Sequence, residues 1–171
     1  MSIIVETGAG VTDANSYADL AKVRAYALLR GITLSTDDAV VTAQIMLGMD
    51  FIEAKRSDFQ GTKTSATQAL QWPRKGVTID CNDVDENTIP NEIVNALCQV
   101  VIEQHNGVNL SPTRTDAFIT EDTIGPITTK YSDKIGGGPG TAPTMPNVEN
   151  SLAPLLATCG QVAGSISVVR V

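Results

Sequence analysis

Aromatic residues are scarce in this chain of 171 residues, at 4%, and no apolar run approaches the length of a membrane span. Apolar residues nevertheless reach 42%, so the composition does not predict disorder. The core must then be built mainly from Ala, Val, Ile and Leu, which suits closely packed helices with little sheet. No signal-peptide pattern follows Met1, so we expect a soluble, single-domain protein spanning residues 1–171 and made in a cytoplasm.

Clusters of basic residues are also missing. Twelve Lys and Arg stand against nineteen Asp and Glu, which gives a net charge of −7, and no basic run is longer than two residues. Nucleic-acid binders usually need a basic patch that releases counterions from phosphates. The charge pattern therefore disfavours tight DNA binding, but it is compatible with a surface that DNA passes without adhering.

The residue clusters that enzymes and metal sites need are absent from the sequence. Three cysteines at wide spacing and the single His105 form no C-x-x-C or Cys/His cluster, so neither zinc nor a disulfide framework is indicated. Gly8-Ala9-Gly10 and the stretch Gly136–Gly140 lack the remaining residues of nucleotide-binding loops. Cys98 lies in an apolar helical run and is expected in the core. We expect no enzyme activity, no cofactor and no metal.

Four helices are predicted from apolar spacing and end signals. They cover about residues 16–29, 35–54, 88–106 and 148–158, with Pro154 disturbing the last or starting a new turn. Asn87 or Thr88 is the expected cap of the third helix, with Pro90 in its first turn. This third helix is apolar nearly all round to Ile102, so it should be the buried centre of a small bundle.

The second helix carries two apolar stripes at helical spacing. One consists of Val41, Ile45, Met49 and Ile52, and the other of Val40, Ala43, Leu47 and Phe51. Two stripes predict a wide apolar face. Such a helix is either central to the fold or shared with a neighbouring subunit.

Between the second and third helices the helical pattern disappears, and Trp72-Pro73 lies in the middle of this segment. Two interpretations of Trp72 stay open. In the first it anchors the loop on the bundle and its indole N–H finds a partner, and in the second it is a hot spot of an interface.

The last third of the chain changes character. Residues 115–131 are rich in Thr, Ile and aromatics and predict a β-hairpin, part of an excursion over about residues 111–146. Residues 165–171, within a C-terminal arm over about 159–171, favour a strand and invite addition to a neighbour's sheet. The predicted fold class is therefore mainly α, a bundle of three to four helices with a hairpin protrusion and extended, β-prone termini.

Several motifs, in order along nearly the whole chain, resemble a family of tailed-bacteriophage proteins. They are Val5-Glu6-Thr7-Gly8-Ala9-Gly10, Asp13-Ala14-Asn15-Ser16-Tyr17, Leu70-Gln71-Trp72-Pro73-Arg74, Ile89-Pro90 opening a helix, and Val148 with Leu152, Pro154, Leu155 and Leu156. The family resembles head-to-tail adaptor, or head-completion, proteins, and its members are often labelled DnaT-like single-stranded-DNA-binding proteins.

The adaptor resemblance implies a structural subunit of the virion neck. Its copies would form a ring, dodecameric like the portal, between the portal protein and a tail, nozzle or tail-terminator protein, and genomic DNA would pass through without specific binding. No membrane is involved. The alternatives are a single-stranded-DNA-binding protein, which needs a basic groove and stacking aromatics, and a tail-completion or terminator protein.

Ring subunits need head-to-tail interfaces, and three parts of the sequence suit them: the helix with two apolar stripes, the hairpin near residues 115–131 and the β-prone termini. The candidate interface residues lie in the loop, the hairpin and the C-terminal tail: Trp72, Arg74, Phe118, Ile119, Ile127, Tyr131, Val168 and Val169. For Phe118 and Ile127 the alternative is that they pack the hairpin onto the bundle.

Overall fold

The structure is a computed structural model, and it describes residues 2–110, 121–124, 127–130 and 145–156. The described part contains four helices: α1 (Leu20–Leu28), α2 (Asp38–Glu53), α3 (Asn91–His105) and α4 (Pro146–Leu156). Three two-stranded antiparallel sheets accompany them. The mainly α fold class with a small hairpin is confirmed.

Helix α3 is the buried centre, as its sequence predicts. The side chains of Ile93, Leu97 and Val100 are fully buried, and α3 packs against α1, α2 and α4. Gly48 of α2 permits a close approach to α3, since a Cβ at this position would lie 3.1 Å from Cδ1 of Leu97. The core thus depends on small and branched aliphatic side chains, consistent with the low aromatic content.

Helix boundaries follow the residues that cap them. Asp19 accepts a hydrogen bond from the Lys22 N–H, and Asp37 accepts one from the Ala39 N–H. Helix α1 consequently begins at Leu20 instead of near residue 16. The Asn87 or Thr88 cap predicted for α3 is wrong: Pro90 occupies the cap position without a side-chain cap, because its extended backbone (ψ 143°) ends the preceding turn.

The segment between α2 and α3 forms two small hairpins that the sequence did not predict. Strand β1 (Thr62–Lys63) pairs with β2 (Arg74–Lys75), and β3 (Thr78–Ile79) pairs with β4 (Asn82–Asp83). Two-residue strands are too short to show an alternating pattern.

Cys81 in the second hairpin is disulfide-bonded, contrary to the expectation from the wide cysteine spacing.

Strands β5 (Glu121–Ile124) and β6 (Ile127–Lys130) form the antiparallel hairpin predicted within residues 115–131. Ile127 pairs with Ile124 at the turn end of this hairpin. The other predicted features of this region, including the arm over residues 159–171, lie outside the described residues. Helix α4 continues through Pro154 to Leu156, and the carbonyl of Leu155 accepts a hydrogen bond from the Gln60 N–H (3.0 Å).

Candidate interaction surface

Two of the sequence motifs meet at Glu53, a partly buried carboxylate at the end of α2. The Tyr17 hydroxyl donates a hydrogen bond to Oε1 of Glu53, and the Gln71 N–H donates to Oε2 (3.0 Å). The Trp72 N–H in turn donates to the Tyr17 hydroxyl oxygen (3.2 Å). The N-terminal motif and the loop motif are therefore joined through Glu53, which suits a structural role for both.

Burial is the main cause of the raised pKa values of Glu53 and Tyr17. It raises the pKa of Glu53, while the Tyr17 hydrogen bond and the charges of Lys63 and Arg74 act in the opposite direction. Burial also raises the pKa of Tyr17 well above 10.0, and the neighbouring Glu53 charge adds to that effect. The pair joins three distant segments: the N-terminal motif, α2 and the Trp72 loop.

Trp72 occupies the anchor position of the loop. Its ring is fully buried and meets the ring of Phe59 edge to face, with centroids 5.9 Å apart. The indole N–H, for which the anchor interpretation expects a partner, has none among the residues that the structure describes.

Arg74 turns its charge inward and ties the same loop together. Its guanidinium donates hydrogen bonds to the carbonyls of Gln60 (2.6 Å), Gly61 (2.7 Å) and Phe59 (3.3 Å). An interface role of Trp72 and Arg74 stays a prediction, and it requires the loop to rearrange. Of the other candidates, Ile127 lies in β6, whereas Phe118, Ile119, Tyr131, Val168 and Val169 lie outside the described residues.

The glycine-rich N-terminal motif folds around its own carboxylate. Glu6 is 2% exposed and accepts hydrogen bonds from the backbone N–H groups of Gly8 (2.9 Å), Gly10 (3.0 Å) and Val11 (2.7 Å). Gly8 and Gly10 both have positive φ, which glycine adopts without strain. The N–H groups that a phosphate loop would offer to a ligand are thus occupied by Glu6.

The two apolar stripes of α2 have different surroundings. Val41, Ile45, Met49 and Ile52 are buried against the rest of the fold. The other four residues form what we call the outer face of α2: Val40, Ala43, Leu47 and Phe51. Val40 is 44% exposed and Leu47 52% exposed, and Phe51 is half-buried. One stripe is central to the fold, and the other is open to solvent.

Two hollows flank this outer face, and both are lined by Leu47 and Leu110. The larger, about 380 Å³, is bordered by Phe51, Ala54, Lys55 and the carboxylates of Asp50 and Asp58. The smaller, about 180 Å³, lies between Leu47 and the end of α3, where Gln104 donates a hydrogen bond to the Gln44 carbonyl (2.8 Å). Leu47 therefore projects between two recesses that a second apolar surface can fill.

Few aromatic rings are available for stacking on bases. Tyr17, Phe59 and Trp72 are buried, which leaves Tyr26 and Phe51 as the partly exposed aromatics of the described residues. A cation covers each: the Arg30 guanidinium lies 3.4 Å from the Tyr26 ring centroid, and Lys55 Nζ lies 5.2 Å from that of Phe51. Since Asp50 and Asp58 border the Phe51 hollow, its charge does not favour a phosphate backbone.

Cys98 and His105, the other residues considered in the sequence as reactive groups, do not form a site among the described residues. Cys98 is buried, and burial raises the pKa of its thiol to about 11, so it behaves as a core residue. His105 is exposed in the last turn of α3. Within the described ranges no three His, Cys, Asp or Glu side chains gather as metal ligands, and no helix is long and apolar enough to cross a membrane.

The sequence profile of a known family matches residues 1–171, the whole chain. That family is described as "Putative DnaT-like ssDNA binding protein". The chain belongs to this family. No curated protein matches it, and no solved structure does. Because the match extends from the Glu6 loop through the Trp72 loop to α4, the hydrogen-bond network around Glu53 lies within the region that the family profile covers.

The sequence identified the outer face of α2 but missed Glu53. Glu53 lies 36 residues from Tyr17 and 18 from Gln71 along the chain. Both of its partners belong to the motifs that carry the family resemblance, but Gln71 donates through its backbone N–H, so its side-chain type gives no signal of the contact. No spacing rule connects them to a carboxylate at the end of a different helix.

Proposed function

We propose that this protein is a structural adaptor of a tailed-phage neck, whose copies form a ring between the portal protein and the tail. The observation that carries the proposal is the outer face of α2, an apolar stripe left open on a small acidic domain. The Glu6 loop and the Trp72 loop make their contacts within the fold, whereas the outer face of α2 is exposed and can contact another subunit.

Charge supports the same proposal. A protein of net charge −7 that lines a channel repels the DNA backbone, so the genome passes without adhering. The proposal includes no catalytic step and no cofactor. Its partners are further copies of the chain, the portal protein and a tail-side protein, and its location is the virion neck.

A direct test is to mix the purified protein with the portal protein of the same phage and to image the product by electron microscopy. The adaptor proposal predicts a monomer or weak oligomer alone and a ring beneath the portal in the mixture. A protein that never associates with the portal would rule it out. A ring that follows the tail's symmetry and binds the tail instead would support the tail-completion alternative.

The family description favours a second candidate, a single-stranded-DNA-binding protein. The partly exposed Phe51 with Lys55 and Tyr26 with Arg30 are the surface aromatics on which bases could stack. This candidate predicts a salt-sensitive rise in fluorescence polarisation of a labelled oligonucleotide. The adaptor proposal predicts no change in polarisation even at low salt.

A further inference from the structure

None of the described residues covers Val40 or Leu47 on the outer face of α2, which are 44% and 52% exposed. A single exposed leucine is ordinary on a protein surface. Here, however, Val40 and Leu47 lie on one side of the same helix, and a hollow flanks Leu47 on each side. A stripe between two recesses has the form of a groove that accepts a short apolar segment.

We propose that residues 165–171 of a neighbouring copy bind along the outer face of α2. This inference rests on the proposed ring assembly and names the contact between adjacent subunits. The contact is heterologous, because a tail on one copy meets a helix on the next, and repeated contacts of this kind close a ring.

The chemistry of this segment suits the groove. Ile166, Val168, Val169 and Val171 are apolar, which matches the lining by Leu47, Phe51, Ala54 and Leu110. Residues 157–171 contain no acidic side chain and one arginine, Arg170, while Asp50 and Asp58 border the larger hollow. In a chain of net charge −7, a segment without acidic side chains adds no side-chain repulsion against the carboxylates of Asp50 and Asp58.

The length of the chain permits the contact. Twelve residues, 160–171, follow Cys159, the last cysteine of the chain (171 − 159). An extended segment of that length reaches at most about 40 Å. A compact domain of this size measures roughly 40 Å across. The tail of one subunit can therefore extend to the α2 helix of an adjacent one.

Disulfide trapping between full-length copies tests the contact. One copy carries Leu47→Cys and a differently tagged copy carries Val168→Cys, and the two are oxidised together, free at high concentration and assembled with the portal. We expect cross-linked heterodimers at least about tenfold above the control pair of Leu29→Cys with Val168→Cys. Leu29 is a matched control, because it is 85% exposed and lies at the end of α1.

Leu47→Asp provides a second readout in the full chain, with Leu29→Asp as its control. We expect Leu47→Asp to weaken self-association about tenfold or more by analytical ultracentrifugation, and Leu29→Asp to leave it unchanged. Circular dichroism verifies that both variants keep their helices, since both side chains are exposed.

The outcomes separate this inference from the adaptor proposal. Cross-links equal to those of the control pair in a portal-bound ring would overturn the contact and leave the adaptor role standing. Cross-links within one chain, formed at high dilution by a Leu47→Cys/Val168→Cys double variant, would show the tail folding back and would also overturn it. Specific cross-links between copies that never bind the portal would support the contact and reject the adaptor role.

Discussion

At the scale of single residues, the partly buried carboxylate of Glu53 connects the N-terminal motif, α2 and the Trp72 loop. Each hydrogen bond to it comes from a residue distant in the chain. A buried acceptor that loses its donor costs about 1–3 kcal/mol. Tyr17 and Gln71, which belong to the motifs of the family resemblance, therefore stabilise the fold. We expect their substitution to lower the free energy of unfolding by loosening the Trp72 loop.

Tyr17→Phe tests this connection. The change removes the hydroxyl that donates to Glu53 and accepts from the Trp72 N–H, so we expect a loss of about 1–3 kcal/mol in the free energy of unfolding by urea denaturation. Tyr26→Phe is the control. Its hydroxyl accepts one hydrogen bond from Gln99 at the half-exposed surface, and we expect a smaller loss. Equal losses in the two variants would contradict the central position of Tyr17.

The raised pKa of Glu53 predicts a pH dependence of stability. Burial favours the neutral carboxyl, so its contribution is complete below the ordinary pKa of 4.5 and is lost as the pH rises through the higher folded-state pKa. Glu53→Gln removes this titration. We expect the unfolding free energy of the native chain, minus that of Glu53→Gln, to fall as the pH rises through this range. A difference that stays constant with pH would contradict the shift.

At the scale of elements, α2 has one face for the fold and one for solvent. The sequence predicted both stripes because helical spacing is local, and it predicted α3 as the centre for the same reason. It did not predict β1 to β4, whose strands have two residues each, or the Glu53 network, whose members are brought together only by tertiary packing. Helical spacing predicted the apolar residues of the outer face, but it did not predict that this face is exposed and the other is buried.

The two faces of α2 should respond differently to the same substitution. Ile45→Ala removes a fully buried side chain next to α3, and we expect a loss of about 2–5 kcal/mol in unfolding free energy. Leu47→Ala trims a side chain that is 52% exposed, and we expect a change within about 0.5 kcal/mol. Chemical denaturation of both variants measures this, and a large loss at Leu47 would show that its face is structural.

Gly48 marks the contact of α2 with α3. Alanine favours a helix over glycine by about 1 kcal/mol, but the added Cβ would lie 3.1 Å from Leu97 and 3.3 Å from Val100. Crowding a packed core typically costs about 1–3 kcal/mol. We expect Gly48→Ala to lower the thermal midpoint measured by circular dichroism. A higher midpoint would mean that α2 and α3 separate easily enough to accept a methyl group.

At the scale of the whole molecule, a small acidic bundle exposes the apolar outer face of α2, while the described residues of its recognisable motifs contribute mainly to the fold. Among the described residues, Tyr26 and Phe51 are the partly exposed aromatics, and the carboxylates of Asp50 and Asp58 border the hollow beside Phe51. Both features favour assembly with proteins over binding to nucleic acid. The membership of the DnaT-like family is consistent with either role, because the shared region includes the structural network as well as the surface.

The most direct test of the adaptor role is cryo-electron microscopy of the virion neck, with the chain identified in the particle by mass spectrometry. The account predicts a ring of this protein directly beneath the portal, with the outer face of α2 covered at the contact between subunits. Absence of the protein from the particle would contradict the account and would make single-stranded-DNA binding the leading function.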